Sequence, residues 1–374
     1  MKITLLRLKE NRFGGAERYL ERLREELEKR GIEVKVCRSS LSNWVPDWIK
    51  LLHFNHFCCG KKRGEREIYF SLDRVICPDI YRAGDGVHKV YLKQEKKYCW
   101  WLNPRHWVYL SLEKKAFENA KRIIANSRMV KWEIVETYHI SPKKIDIIYN
   151  GIPIPRRVDE KGEPELRKEL GIGRKEKVIL FVGSDFKRKG LKEALELLAK
   201  MNPDLREMWR FVVVGKGKNV WWYKWYAKRL GIRERVIFAG PQKRVERFYR
   251  MGDILILPTH YDPFSNVVLE GLVYKNVVFT TIFNGASEIL PSNWVQKNLH
   301  DTSIIPNIEQ LILTPSLLRK EQERARLIGI HYSISLNVTK TLKVIEALYP
   351  NFEPQPRKEF KNGTGSSQII QNPT

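Results

Sequence analysis

Two carboxylates, Asp262 and Glu270, stand eight positions apart in the segment Tyr261-Asp-Pro-Phe-Ser-Asn-Val-Val-Leu-Glu270. The apolar run from Asp253 to Pro258 reads as a buried strand, and residues 265 to 275 carry a helical pattern. The amides of Phe264, Ser265, Asn266 and Val267 therefore crown a helix N-terminus, which attracts anions and donates hydrogen bonds to hydroxyls or phosphates. Glu270, just over one turn inside, is placed to hold a diol such as a ribose. Taken alone, it is read equally well as a plain N-terminal helix charge. A second segment, Gly183-Ser-Asp-Phe-Lys-Arg-Lys-Gly190, ends where a helix over 191–200 begins. Arg188 and Lys189 there oppose the positive end of the helix dipole, and a bound phosphate would meet both cations and the helix amides.

The N-terminal half offers fewer such groups. Gly14 and Gly15 form a turn where the backbone can approach a phosphate closely, although a glycine pair alone is a weak signal. In Arg82-Ala-Gly-Asp-Gly-Val-His88, Asp85 lies between two glycines in a loop that invites a ligand, and His88 is near enough to share it. A lone histidine is as readily structural. His53 and His56 have metal-like spacing but no acidic or cysteine partner in register, so they read as structural and no metal site is expected. Cys37, Cys58, Cys59, Cys77 and Cys99 are odd in number and lack Cys-x-x-Cys spacing. That argues against a disulfide framework and for a reducing cytoplasm.

The elements that must position these groups follow an α/β alternation. Ile3 to Leu8 reads as a strand, and Ala16, Leu20, Leu23 and Leu27 line one face of a helix that Gly31 stops. Glu33 to Cys37 is the next strand, giving a doubly wound beginning. A helix over 111–119 leads into a strand over 122–127, and Ile145 to Tyr149 is the last strand of this half. Asn150-Gly-Ile-Pro-Ile-Pro155 is a linker. Beyond it, strands over 178–182, 211–214, 236–239, 254–257 and 277–280 alternate with helices over 191–200, 221–230, 243–251 and 265–274. The expected division is a Rossmann-like domain over 1–155, a second over 156–330, and a C-terminal helix within 331–353 that packs back on the first. A polar tail over 354–374 is expected to be disordered.

Together these segments resemble family-4 retaining glycosyltransferases of GT-B fold, in which two Rossmann-like domains face each other across a cleft. The 261–270 segment resembles the family's acidic-pair motif, with Asp262 where the family usually has Glu. The 183–190 segment is similar to the diphosphate loop of the lipopolysaccharide core glucosyltransferase group, with Ser184 at the position of a usual Arg. The resemblance implies that Gly215 and Gln242 line the nucleobase and ribose, that Asn284-Gly-Ala-Ser-Glu288 turns beside the diphosphate, and that Gly14 and Gly15 approach it from the opposite domain. It also implies Asp85 near the acceptor hydroxyl, with His88 secondary. The implied activity is metal-independent transfer of a hexose, glucose by analogy, from a nucleotide-sugar such as UDP-glucose to a saccharide. A GT-B epimerase or a glycan phosphorylase is the alternative within the scaffold.

Net charge is +25 with 30% charged residues, which calls for an anionic partner. Nucleic acid is disfavoured by the absence of a helix-turn-helix, zinc-finger or RNP-type signature. Trp100, Trp101 and Trp107 are set among Lys96, Lys97, Arg105, Lys114 and Lys115, the composition of a headgroup interface. No apolar run reaches transmembrane length. The expectation is a peripheral protein on the cytoplasmic face of the inner membrane, acting on a lipid-linked saccharide.

Overall fold

The computed structural model describes residues 2–8, 15–42, 44–64, 67–95, 100–156 and 163–350. Gly14, Lys96, Lys97, Cys99 and the 354–374 tail lie outside them. The chain builds two six-stranded sheets, parallel throughout. The first holds β1 (Lys2–Leu6), β2 (Glu33–Cys37), β3 (Glu67–Ser71), β4 (Ile80–Ala83), β5 (Arg122–Ala125) and β6 (Ile145–Ile147), in the order 2-1-3-4-5-6. The second holds β7 (Lys177–Val182), β8 (Trp209–Val214), β9 (Val236–Gly240), β10 (Ile254–Leu257), β11 (Val277–Thr281) and β12 (Val295–Gln296), in the order 12-11-10-7-8-9.

Helices α1 (Gly15–Lys29), α2 (Asp47–Gly60), α3 (His88–Glu95), α4 (Pro104–Asn119) and α5 (Arg128–Tyr138) accompany the first sheet. The second carries α6 (Pro164–Glu169), α7 (Leu191–Ala199), α8 (Val220–Arg229), α9 (Glu246–Met251), α10 (Asn266–Val273), α11 (Ile305–Leu313) and α12 (Pro315–Ile330). Strands β7, β10 and β11 are buried almost end to end, as continuous apolar runs covered by helices on both faces must be. The last helix, α13 (Ile334–Leu348), returns to the first domain, where Val338, Leu342 and Ile345 join Ile3, Leu20 and Leu23 in one core.

Several elements differ from expectation. The second sheet has a sixth strand, β12, too short to leave a hydrophobic run. Strands β3 and β4 were not anticipated. In β4, Arg82 is buried, its guanidinium 3.7 Å over the Tyr19 ring and bonded to the Asn150 side chain, so a charged residue sits inside a strand. Helix α4 starts at Pro104 rather than 111, because Asn103 caps it by accepting from the Arg105 amide at 3.1 Å. Helix α9 begins at Glu246, not 243.

The cysteine expectation is also corrected. Cys59, near the end of α2, and Cys77, in the loop after β3, form a disulfide with Cα atoms 5.8 Å apart. Spacing along the chain carried no hint of it, since the fold and not a short motif brings the pair together. Cys37 and Cys58 remain free, with the Cys37 thiol drawn down to about 7 chiefly by its hydrogen bond with Cys58.

Candidate active site

Open parallel sheets bind ligands beyond the carboxyl ends of their strands, at the point where the strand order reverses. In the second sheet that point lies between β7 and β10, and the loops that follow these two strands meet there. The Thr259 hydroxyl and the His260 amide both donate to the Arg188 carbonyl at 2.9 Å. Gly190, at φ 80°, closes the first loop so tightly that a Cβ would run into the Pro258 carbonyl.

This crossing delivers Lys189 and Arg188 to Asp262. The buried Lys189 ammonium donates to Asp262 Oδ2 at 2.5 Å and to Ser265 Oγ at 3.2 Å. Arg188 Nη1 donates to the Tyr261 carbonyl at 2.8 Å and lies 3.4 Å from the same Asp262 oxygen. Burial opposes the Asp262 charge, but Lys189 and Arg188 outweigh it and hold the carboxyl below the usual range. Burial, with Arg188 adding, pulls the Lys189 amine below its ordinary value against the opposing effect of Asp262. Arg188 is raised: Asp262 and Asp185 together overcome its desolvation.

The tip of α10 lies beside this cluster. Asn284 Oδ1 accepts from the Ser265 amide at 3.2 Å, and Asp262 Oδ1 accepts from the Phe264 amide at 3.2 Å. The amides of Asn266 and Val267 belong to the first turn, which has no intrahelical acceptors. One turn further, the buried Glu270 accepts from Arg18 Nη1 at 3.1 Å, lies 3.5 Å from Arg22 Nη2, and accepts from the Tyr249 hydroxyl at 3.0 Å. Arg18 and Arg22 come from α1, so Glu270 is tied to the other domain.

The first domain presents its own strand ends to this tip. Gly15 opens α1 close enough that a Cβ would contact the Asn266 side chain. Asn150 donates to the Phe264 carbonyl at 3.0 Å and to Asn266 Oδ1 at 2.8 Å. Asp85 is exposed in the turn after β4, and its neighbour Gly86, at φ 73°, has space for no side chain against Tyr261 and Pro263, the residues flanking Asp262. The Tyr261 hydroxyl accepts from the Val87 amide at 3.2 Å and donates to Glu133 at 2.7 Å.

His88 lies beneath this surface. Its amide donates to both oxygens of the fully buried Glu113 at 3.0 Å, and its Nε2 is 3.0 Å from His106 Nδ1. Burial, then Arg74, push the imidazole down to about 3, so it is neutral and packed. Ser184 is exposed in the loop after β7, and Gly215 stacks its backbone on Gly183. Glu288 caps α5, accepting from the Arg128 and Met129 amides at 2.9 and 2.7 Å.

Asp262, Arg188, Lys189, Phe264, Ser265, Asn266, Val267 and Glu270 therefore form one cluster, with Gly15 opposite and Asp85 at its edge. His88 is apart, inside the first domain. Sequence reading missed Arg18, Arg22, Tyr249 and the site role of Asn150, while Asn284 stands in the 284–288 turn already singled out. Only the arginines left a trace, as cations one turn apart on the polar side of α1. Among the described residues no group of three or more His, Cys, Asp or Glu is placed to hold a metal ion.

Comparison with known proteins fits this geometry. The family profile Glycosyltransferase Family 4 matches residues 82–156, and Glycosyl transferases group 1 matches 162–328. The lipopolysaccharide glucosyltransferase WaaG of Escherichia coli is 26% identical over 302 residues, 73% of this chain and 78% of that protein. The crystal structure of WaaG, a glycosyltransferase involved in lipopolysaccharide biosynthesis, superimposes with a TM-score of 0.77 at 21% identity, over 92% of this chain and 99% of that one. HepE of Anabaena, in complex with UDP-glucose, superimposes with a TM-score of 0.69 at 18% identity, over 93% and 100%. With two parallel sheets meeting at their strand ends and both domains matched in turn, the chain is a GT-B glycosyltransferase that joins a Family 4 domain to a glycosyl transferases group 1 domain.

Proposed function

We propose that the chain transfers a hexose, glucose by analogy, from a UDP-sugar to a lipid-linked saccharide of the lipopolysaccharide-core type, with retention of configuration and without a metal. The observation that carries this reading is the Lys189 ammonium held between Asp262 and the tip of α10, with Arg188 on the same carboxylate. Similarity to WaaG supports the acceptor class, and the UDP-glucose bound by HepE supports the donor.

In this reading the C1–O bond to the β-phosphate breaks, and negative charge grows on the departing diphosphate. Lys189, Arg188 and the amides of Asn266 and Val267 receive that charge, aligned before the reaction starts. Asp262 keeps the two cations aimed and borders the sugar. Glu270 takes the ribose hydroxyls, exchanging Arg18 for the diol, while Ser184, Gly215 and Gly15 border the nucleotide. The acceptor hydroxyl attacks C1 from the leaving-group side and gives its proton to a phosphate oxygen or to Asp85. Glu113, accepting from the His88 amide, anchors the chain just after the Asp85 turn.

The membrane contact falls on α4 and the turn before it. Trp101, Leu102 and Trp107 are 50%, 74% and 57% exposed, beside the exposed cations Arg105, Lys114 and Lys115. Rings at the headgroup boundary with cations on lipid phosphates account for this composition. Among the described residues no helix is long and apolar enough to cross a membrane. The cytoplasmic face of the inner membrane remains the proposed location. A disulfide is uncommon in such a compartment except in hyperthermophiles, and a chain with 30% charged residues fits that setting.

A donor screen tests the assignment. UDP-glucose is expected to raise the melting temperature more than GDP- or ADP-sugars, and Glu270→Ala to abolish that rise. Lys189→Ala is expected to lower kcat roughly 100- to 1000-fold. Full donor stabilisation in Glu270→Ala rejects the ribose assignment, and an unchanged kcat in Lys189→Ala rejects the diphosphate one.

A further inference from the structure

The exposed positions of α8 are Trp221, Lys224, Trp225, Lys228 and Arg229, a single stripe at helical spacing. The opposite side, Tyr223 and Ala227, is buried in the core of the second domain. Trp221 is 70% exposed and Trp225 49%. The neighbouring aromatics are satisfied within the protein: Trp222 and Tyr226 stack at 4.9 Å, and the Tyr226 hydroxyl donates to Glu196 at 2.5 Å. The stripe itself has no acidic member. Its cations lie close to rings, with Arg229 5.8 Å over Trp225 and Lys224 5.9 Å over Phe238. Lys216 and Lys218, exposed in the loop leading into α8, extend the positive surface toward the donor loop.

Packing within the chain leaves these two indoles turned to water, between cations that neutralise nothing on their own face. Trp rings are favoured at the lipid headgroup boundary, and Lys or Arg beside them reach phosphates while their alkyl stems stay apolar. A sugar or base platform would instead bring rings together around a groove with hydrogen-bonding side chains. Here the rings project from a convex helix, and the residues between them are cationic. A net charge of +25 complements an anionic surface over the whole molecule.

We propose that this face of α8 is a second lipid-binding surface, on the donor domain, that docks to an anionic bilayer. It goes beyond the contact proposed for α4 and stands whether or not that contact exists. The enzyme would then meet the membrane through both domains.

Co-sedimentation with phosphatidylglycerol-containing vesicles tests it, using the full chain. Trp221→Ser/Trp225→Ser and, separately, Lys224→Glu/Lys228→Glu are each expected to weaken binding roughly tenfold or more. Pure phosphatidylcholine vesicles are expected to bind weakly in every case. The side chains are exposed, so the melting temperature and the donor-induced shift are expected to stay at wild-type values. Trp101→Ser/Trp107→Ser reports on the N-terminal contact in parallel. Wild-type vesicle affinity in both α8 variants overturns the proposal, even where the Trp101/Trp107 variant loses binding. Loss of single-stranded oligonucleotide binding with vesicle binding intact overturns it in favour of nucleic acid.

Discussion

Lys189 is a cation whose own burial disfavours its charge, and Asp262 is a carboxylate in the same position. Each makes the other tolerable, and removing one member leaves an uncompensated buried charge. The same logic governs Glu270, whose oxygens are shared among Arg18, Arg22 and Tyr249. Glu133 differs because no cation among the described residues pairs with it. Burial raises its carboxyl to about 7, Glu113 adds to the rise, and hydrogen bonds from Tyr261 and Val87 oppose it. The folded value lies above the ordinary one. The stabilisation from the neutral acid is therefore complete below about pH 4 and fades as pH climbs through 7. Ionisation costs the fold the desolvation of Glu133, while the Tyr261 hydroxyl, donating from the other domain, favours the carboxylate and offsets part of that cost. Glu133→Gln keeps the neutral partner, and its melting temperature is expected to fall less than that of wild type between about pH 5.5 and 8. Equal slopes would show that Glu133 does not titrate in this range.

At the scale of elements, helix tips and strand ends do most of the positioning. Gly190 lets α7 begin directly against β10, and Gly190→Ala would force a side chain into the Pro258 carbonyl at a left-handed φ. A loss of roughly 2–4 kcal/mol in chemical denaturation is expected. Wild-type stability would mean that the loop relaxes around the new methyl. On α4, Lys114→Glu/Lys115→Glu is expected to weaken binding to anionic vesicles and leave donor affinity unchanged. Unaltered vesicle binding would remove α4 from the membrane. The second sheet was readable because its strands are unbroken apolar runs between helical patterns. The motif loops were readable because glycine and charge follow those runs directly. Strand β4 was not, since Arg82 interrupts it and its partners, Tyr19 and Asn150, lie far along the chain. The start of α4 was legible in Asn103-Pro104, a cap followed by proline, but was overlooked. Glu288 capping α5 spans 160 positions and has no local signature.

For the molecule as a whole, the Cys59–Cys77 bond closes an 18-residue span around β3. Loop-entropy reasoning gives it about 3 kcal/mol, which Cys77→Ser should remove from the unfolding free energy while leaving donor binding in place. A midpoint insensitive to both reductant and this substitution would mean that the bond does not form in solution. The two domains are joined not once but twice, by the linker after Asn150 and by the return from α12 into α13. These crossings are laced together: the Ile152 amide donates to the Tyr332 carbonyl at 3.1 Å, and the Ile334 amide donates to the Ile152 carbonyl at 2.9 Å. Gly151 packs where any side chain would strike the Ser333 backbone. A joint with two pins side by side folds like a book and resists swivelling. Substrate entry should therefore open the covers about one spine, and the page edges should come back into register each time they shut.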